Sequence, residues 1–187
     1  MEKARRRTGL APVDLPLSKV YGLLEPGPVV FLTTADRGRA NVMTLSWHMM
    51  VEFTPPLVAC VVSRADFSQI ALRKTKQCVI AIPTSELAPQ IVDVGNCSGS
   101  DVDKFAAFKL TPLPAARIAP PLIAECYANL ECKIVDTRLV NKFDLFVLEV
   151  VKAWIDPACK DPKTIHHRGF GEFVVDGEIL KLKSAKP

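Results

Sequence analysis

A chain of 187 residues, 49% of them apolar, is long enough to bury one substantial core, which excludes a disordered tail and a disulfide-dependent miniprotein. A formal charge of +4 with only 7% aromatic residues and no recognition-helix pattern excludes a nucleic-acid binder of the usual kind. The longest apolar runs, 57–62 and 145–151, fall far short of the roughly 20 residues that cross a bilayer, and no apolar signal segment opens the chain, so a cytoplasmic protein without membrane association is expected. Residues 1–16 are basic and then proline-punctuated and read as an arm, leaving 17–187 as one domain.

Ser18 to Leu24 has the pattern of a short helix, stopped by Glu25-Pro26-Gly27-Pro28. Val29 to Thr34 is a strand, and Asp36-Arg37-Gly38-Arg39 turns it into a second strand, Asn41 to His48. That strand alternates an apolar row (Met43, Leu45, Trp47) with a polar one (Thr44, Ser46, His48), so one side faces a core and the other offers hydrogen bonds. Pro55-Pro56 opens the buried run Leu57 to Val62, which ends in Ser63-Arg64. Asp66-x-x-Gln69 has capping-box spacing and opens a helix with Phe67, Ile70, Ala71 and Lys74 on one face. Cys78 to Ile82 is a further buried strand. Leu87, Ile91 and Val94 recur at helical spacing, and Ser100-x-x-Asp103 caps a short helix through Phe105 and Phe108.

The proline-rich stretch 111–121 is an extended connection. Ala124, Cys126, Ala128, Leu130, Cys132 and Ile134 then alternate with Glu125, Tyr127, Asn129, Glu131, Lys133 and Val135 along a strand. The next strand, Phe143 to Ile155, is apolar on nearly both faces and needs cover on both, from the core and from a helix or a second subunit. Asp176-Gly177 closes a turn between Phe173 to Val175 and Ile179 to Leu182. Many strands with short helices between them and no βαβ rhythm make a β-barrel with helical excursions.

The six cysteines form no C-x-x-C pair, so neither a zinc site nor a disulfide framework is expected. Most lie in apolar strands; Cys97 stands apart in the polar loop Gly95-Asn96-Cys97-Ser98-Gly99. His166 and His167 are adjacent, so in a strand their rings point to opposite sides and cannot share a metal.

The ordered set N-x-M-T-x-S-W (Asn41 to Trp47), the P-P-L-V strand start (Pro55 to Val58), S-R-x-x-x-S (Ser63 to Ser68) and S-G-x-D-V-D-K-F (Ser98 to Phe105) resembles the flavin reductase-like family of FMN-binding split β-barrel proteins, in particular its flavoredoxin-like branch. The likeness runs from about Pro28 to Leu110 and continues more weakly to Gly177. It implies a mainly β fold, a split β-barrel of Greek-key type with short helical insertions, a homodimer, and non-covalently bound FMN. The flavin contacts it implies are Asn41, Met43, Thr44, Leu45, Ser46 and Trp47; Val62, Ser63, Arg64 and Ser68; and Cys97, Ser98, Gly99 and Lys104.

FMN poses three binding problems: a flat ring with a polar edge, a ribityl chain of hydroxyls and a terminal phosphate. A flat ring with a polar edge needs donors and acceptors on a strand, which Thr44 and Ser46 supply. A terminal phosphate needs hydroxyls and positive charge at a helix start, which Ser63, Arg64 and Ser68 supply. A lysine such as Lys104 would stabilise the negative charge of the reduced ring. The resemblance implies an oxidoreductase that passes hydride or electrons to a small-molecule or protein acceptor, with NADH or NADPH as possible donor. Many flavin reductases of this superfamily carry G-D-H in a late strand, where this chain has Phe143-Asp144-Leu145. That departure keeps open an electron carrier without NAD(P)H oxidation of its own, and a non-enzymatic β-barrel binding module is the remaining alternative.

Overall fold

The computed structural model describes residues 13–20 and 27–182, so most of the expected basic arm lies outside the described residues. Val13–Leu15, its last part, is a strand, β1, in antiparallel register with β10 (Leu145–Ile155). Of the helix expected over Ser18 to Leu24, the described part forms a 3-10 turn, Leu17–Lys19, ending at Val20, and residues 21–24 lie outside the described residues.

Strands β2 (Val30–Asp36) and β3 (Arg39–Leu45) form a hairpin whose two turn residues, Arg37 and Gly38, have φ of 50° and 80°. Positive φ at both positions matches the strand twist and is strain-free only for the glycine. The strand expected over Asn41 to His48 divides at Ser46-Trp47. β3 ends with Leu45 opposite Val30, and β4 (His48–Glu52) begins after the two intervening residues on a different partner, β5 (Leu57–Val61).

The main antiparallel sheet runs β3-β2-β6-β9-β10-β5-β4, with β6 at Gln77–Ile82 and β9 at Ala128–Asp136. Its two ends, β3 and β4, are joined by the Ser46-Trp47 link, so the sheet must curl back on itself there. The result is the expected mainly β split barrel. Leu32, Leu45, Val58, Ile80, Leu130, Phe146 and Leu148 fill its interior. Alternate residues of the same strands, Phe31, Val42 and Val79, meet Ile91, Val94 and Phe105 on the outside. Burial on both faces explains why β2 and β6 read as unbroken apolar runs.

Three short helices pack near the free edge of β3: α1 (Phe67–Thr75), α2 (Ala88–Gly95) and α3 (Lys104–Ala107). The capping box expected at α1 is not made. The Asp66 carboxylate accepts from Ser63 N at 3.0 Å, and the Gln69 amide donates to Val62 O and to Asp144 Oδ1. Gln69 is drawn into the barrel wall, so α1 buries Ser68, Gln69 and Leu72 and leaves Ile70 exposed, not the face that spacing alone marks. At α3 the cap is Asp103, which accepts from Ala106 N, and not Ser100.

Asn129 and Glu131, on the expected outer row of β9, are buried because the proline-rich connection folds over them. Short strands β7 (Pro112–Leu113) and β8 (Leu122–Ile123) pair within that connection. Asn129 exchanges two hydrogen bonds with the Ile123 backbone, and the Glu131 carboxylate accepts from Ala116 N, Arg117 N and Trp154 Nε1 at 2.7 to 2.9 Å.

A last helix, α4 (Val140–Phe143), leads into β10. The closing hairpin joins β11 (Ile165–Gly169) to β12 (Glu172–Val175) through Gly169-Phe170-Gly171, all at positive φ. The turn expected at Asp176-Gly177 is absent and Ile179 to Leu182 is not a strand, because β12 pairs backward and Asp176 instead binds Thr164 and His166. Among the described residues no helix is long and apolar enough to cross a membrane.

Candidate functional site

As an end strand, β3 leaves the backbone groups on one side without a ladder partner among the described residues. A cleft of about 230 Å³ opens there. Its floor carries Asn41, Met43 and Thr44, one wall is the start of α1 from Ala65 to Ser68, and the other is the end of α2 with the loop from Val94 to Gly99. The Asn41 amide donates to Ser68 Oγ at 2.8 Å, joining floor to first wall, and Thr44 Oγ1 donates to Ile91 O at 2.6 Å, joining floor to second wall.

Lys104 closes the bottom. It is 5% exposed, lines the cleft, and its Nζ donates to Val94 O at 2.8 Å. No carboxylate is bonded to it among the described residues, and an ammonium has donors to spare beyond one carbonyl. Burial pulls its pKa below the ordinary lysine value, opposed by the nearby Cys97 and Asp66. A buried cation with unfilled donors at the base of a cleft invites an anionic or electron-rich ligand.

Of the residues marked in the sequence, Asn41, Met43, Thr44, Ser68, Cys97, Ser98, Gly99 and Lys104 come together in this cleft. The others do not line it. Leu45 and Val62 are buried in the barrel. Ser46 lies in the link between β3 and β4, and Trp47, on the row that reads as apolar core, is 71% exposed because the strand breaks beside it. Ser63 is exposed in the turn before α1, where its Oγ accepts from Ala65 N. Arg64 turns away from the cleft; its Nε donates to the Asp144 carboxylate at 3.3 Å and its Nη2 to Asn141 O at 2.9 Å.

The lining residues that motif spacing missed include Ala65, Asp66, Phe67, Gly95 and Asn96. Ala65, Phe67 and Asn96 directly flank a marked residue and Asp66 and Gly95 lie one position further off, so the only available signal was nearness in the chain. The histidines stand elsewhere. His48 points into the barrel and bonds Pro28 O at 2.6 Å; burial, with a contribution from His166, lowers its pKa against that bond. His166 binds Asp176 and Gly27 O, and His167 lies exposed with its ring 5.1 Å from that of Phe173.

The model of the flavin reductase like domain matches residues 23–173, a span that contains every element of the cleft. The chain belongs to the flavin reductase-like family. An uncharacterized protein of Escherichia coli, YddH, is 32% identical over 180 residues, 89% of this chain and 95% of its own. An FMN-binding domain of a flavin reductases-like enzyme from Shewanella baltica superposes with a TM-score of 0.85 at 26% identity, covering 92% of this chain and 98% of that one. The flavoredoxin of Desulfovibrio vulgaris shares the fold, with a TM-score of 0.77 at 23% identity over 100% of this chain and 99% of its own. This member of the flavin reductase-like family thus keeps the family barrel and places its buried lysine at the edge-strand cleft.

Proposed function

We propose that the chain is an oxidoreductase that holds FMN non-covalently in the β3 cleft and passes electrons or hydride through it to a small-molecule or protein acceptor. The observation that carries this reading is Lys104, a buried ammonium with unfilled donors at the base of a cleft lined by polar groups together with the apolar Met43, Phe67 and Val94. The residues suit the ligand. Asn41, Thr44, Ser68 and Ser98 offer hydroxyl and amide partners to a ribityl chain and phosphate, and the free edge of β3 offers backbone groups to a ring edge. Bound there, FMN would supply hydride and one-electron transfer, which the side chains of this cleft do not provide by themselves. Lys104 would stabilise negative charge on the ligand and so favour its reduced form.

The cleft is smaller than the roughly 300 to 1,000 Å³ that encloses a whole ligand, so part of FMN would lie outside it, and a second copy of the chain supplies the natural cover. The outer face of the β4-β5-β10 sheet supports a homodimer. Met49, Ala59 and Val147 are register partners across three strands, and Trp47, Met49, Val51 and Phe53 expose an apolar row beside the half-buried Leu145 and Val147. A contiguous apolar face of this kind marks an association surface. Met49→Glu should therefore give monomers in sedimentation equilibrium where the wild type gives dimers.

NADH or NADPH is the candidate donor. The observation that favours the second reading, an electron carrier that takes electrons from another reductant, is Leu145. It lines a groove with Asp136, Arg138, Leu139 and Val147, and its own side chain offers no hydrogen bond to orient a nicotinamide. Anaerobic mixing of the FMN-loaded chain with NADH, NADPH or dithionite separates the two. Rapid bleaching by either nucleotide supports the reductase, and bleaching by dithionite alone supports the carrier.

A further inference from the structure

Side chains alternate along β3, so Arg39, Asn41 and Met43 stand in one row. Asn41 and Met43 line the cleft floor, and Arg39 is the next rung, at the cleft's end. Its Nη2 donates to Gly99 O at 2.5 Å and reaches Ser100 O at 3.4 Å, while its Cζ lies 5.2 Å from the centroid of the Phe67 ring. Gly99 and Phe67 belong to opposite walls. One guanidinium therefore straps the cleft shut at this end.

The strap is also a cation without a counterion. No carboxylate pairs with Arg39 among the described residues, and the two carbonyls engage a single nitrogen of its fork. The remaining N–H groups form a planar donor set that fits the oxygens of a phosphate. Arg64, the arginine that the motif marks for this task, is committed to Asp144 and Asn141 instead.

We propose that Arg39 reads the terminal phosphate of the flavin, and by closing the cleft behind that phosphate selects a mononucleotide over both riboflavin and a dinucleotide. The inference rests on the flavin reading above. A phosphate monoester ends at the strap and presents free oxygens to the guanidinium. Riboflavin has no group to reach it. A diphosphate bears a further nucleoside, which can leave the cleft at this end only if the Arg39 bonds to Gly99 and Phe67 are broken.

The test is titration of the flavin-free full chain with FMN, riboflavin and FAD, followed by flavin fluorescence, for the wild type, Arg39→Gln and Arg39→Ala. Glutamine keeps a donor for Gly99 O and packing on Phe67 but removes the charge, and thermal melts report whether each variant is folded. The wild type should bind FMN roughly 10- to 100-fold more tightly than riboflavin. Arg39→Gln should lose most of that difference with riboflavin binding unchanged, and Arg39→Ala should in addition narrow the preference for FMN over FAD. Equal wild-type affinity for FMN and riboflavin, or equal losses for both in Arg39→Gln, would overturn the assignment of Arg39 while leaving the flavin site standing. A wild type that binds none of the three would instead remove the flavin reading itself.

Discussion

Gly99 is pressed against Asn41 so closely that a Cβ on it would overlap the Asn41 side-chain amide. That amide in turn donates to Ser68 Oγ at 2.8 Å, so the Ser98 to Ser100 loop, the floor strand and helix α1 lock through one side chain. Gly99→Ala must push the loop off the cleft floor, and overpacking of this kind costs about 1 to 3 kcal/mol. FMN affinity should fall about tenfold or more in a titration, since the cleft wall moves, and the melting temperature should drop by roughly 2 to 4 °C for each kcal/mol of that cost.

Arg64→Ala is expected to weaken FMN and riboflavin alike and only slightly. The guanidinium bonds Asp144 and Asn141 on the rim outside the cleft, and Asp144 keeps its Gln69 partner. Burial alone would raise the Asp144 pKa, but the Arg64 and Gln69 bonds outweigh it and hold it below the ordinary carboxylate value. Comparative titration with the two flavins checks this, and a loss confined to FMN would place Arg64 at the phosphate.

The contrast between Arg64 and Lys104 shows what the sequence could reveal about the site. Lys104, Asn41, Thr44 and the Ser98-Gly99 loop sit in short ordered motifs whose local geometry carries them to the cleft. Arg64 sits in such a motif too, yet its direction is set by Asp144, eighty positions away in the chain, which no local pattern reports. Arg39 is the converse: the strap depends on Gly99 and Phe67 meeting across the cleft, and its own surroundings in sequence read as a plain turn. The fold was legible where burial has a clean period, as in β2, β5 and β6. It was misread where a distant segment covers a face, as the 111–121 connection covers Glu131, or where a strand changes partner, as at Ser46-Trp47.

Glu131 tests the first of those misreadings. Its carboxylate is fully buried and serves three N–H donors, two from the proline-rich connection and one from Trp154. Glu131→Ala removes the shared acceptor of all three, and losing a hydrogen bond to a charged group costs about 1.5 to 3 kcal/mol. Urea unfolding should show at least that loss, with the connection more open to proteolysis. An unchanged midpoint would mean that water replaces the carboxylate freely.

His48 gives stability a pH dependence. Its folded pKa is lowered from the ordinary 6.5, first by burial, so the unfolded chain binds the proton more readily than the folded one. Stability from this group is therefore complete above pH 6.5 and is lost progressively as pH falls below that value toward the folded pKa. His48→Gln keeps a donor for Pro28 O and removes the titration. Melting temperatures between pH 8 and about pH 5 should converge for variant and wild type at the acid end, and parallel curves throughout would show that His48 carries no such linkage.

The central claim is that the β3 cleft holds FMN with Lys104 at its base. The most direct measurement is titration of FMN into the purified chain and into Lys104→Met, read by the visible absorption of the flavin. The flavin spectrum should be perturbed and saturate at one FMN per chain, with the variant roughly tenfold or more weaker because a charged hydrogen-bond donor is lost. A wild-type chain that leaves the FMN spectrum unchanged at all concentrations would contradict it.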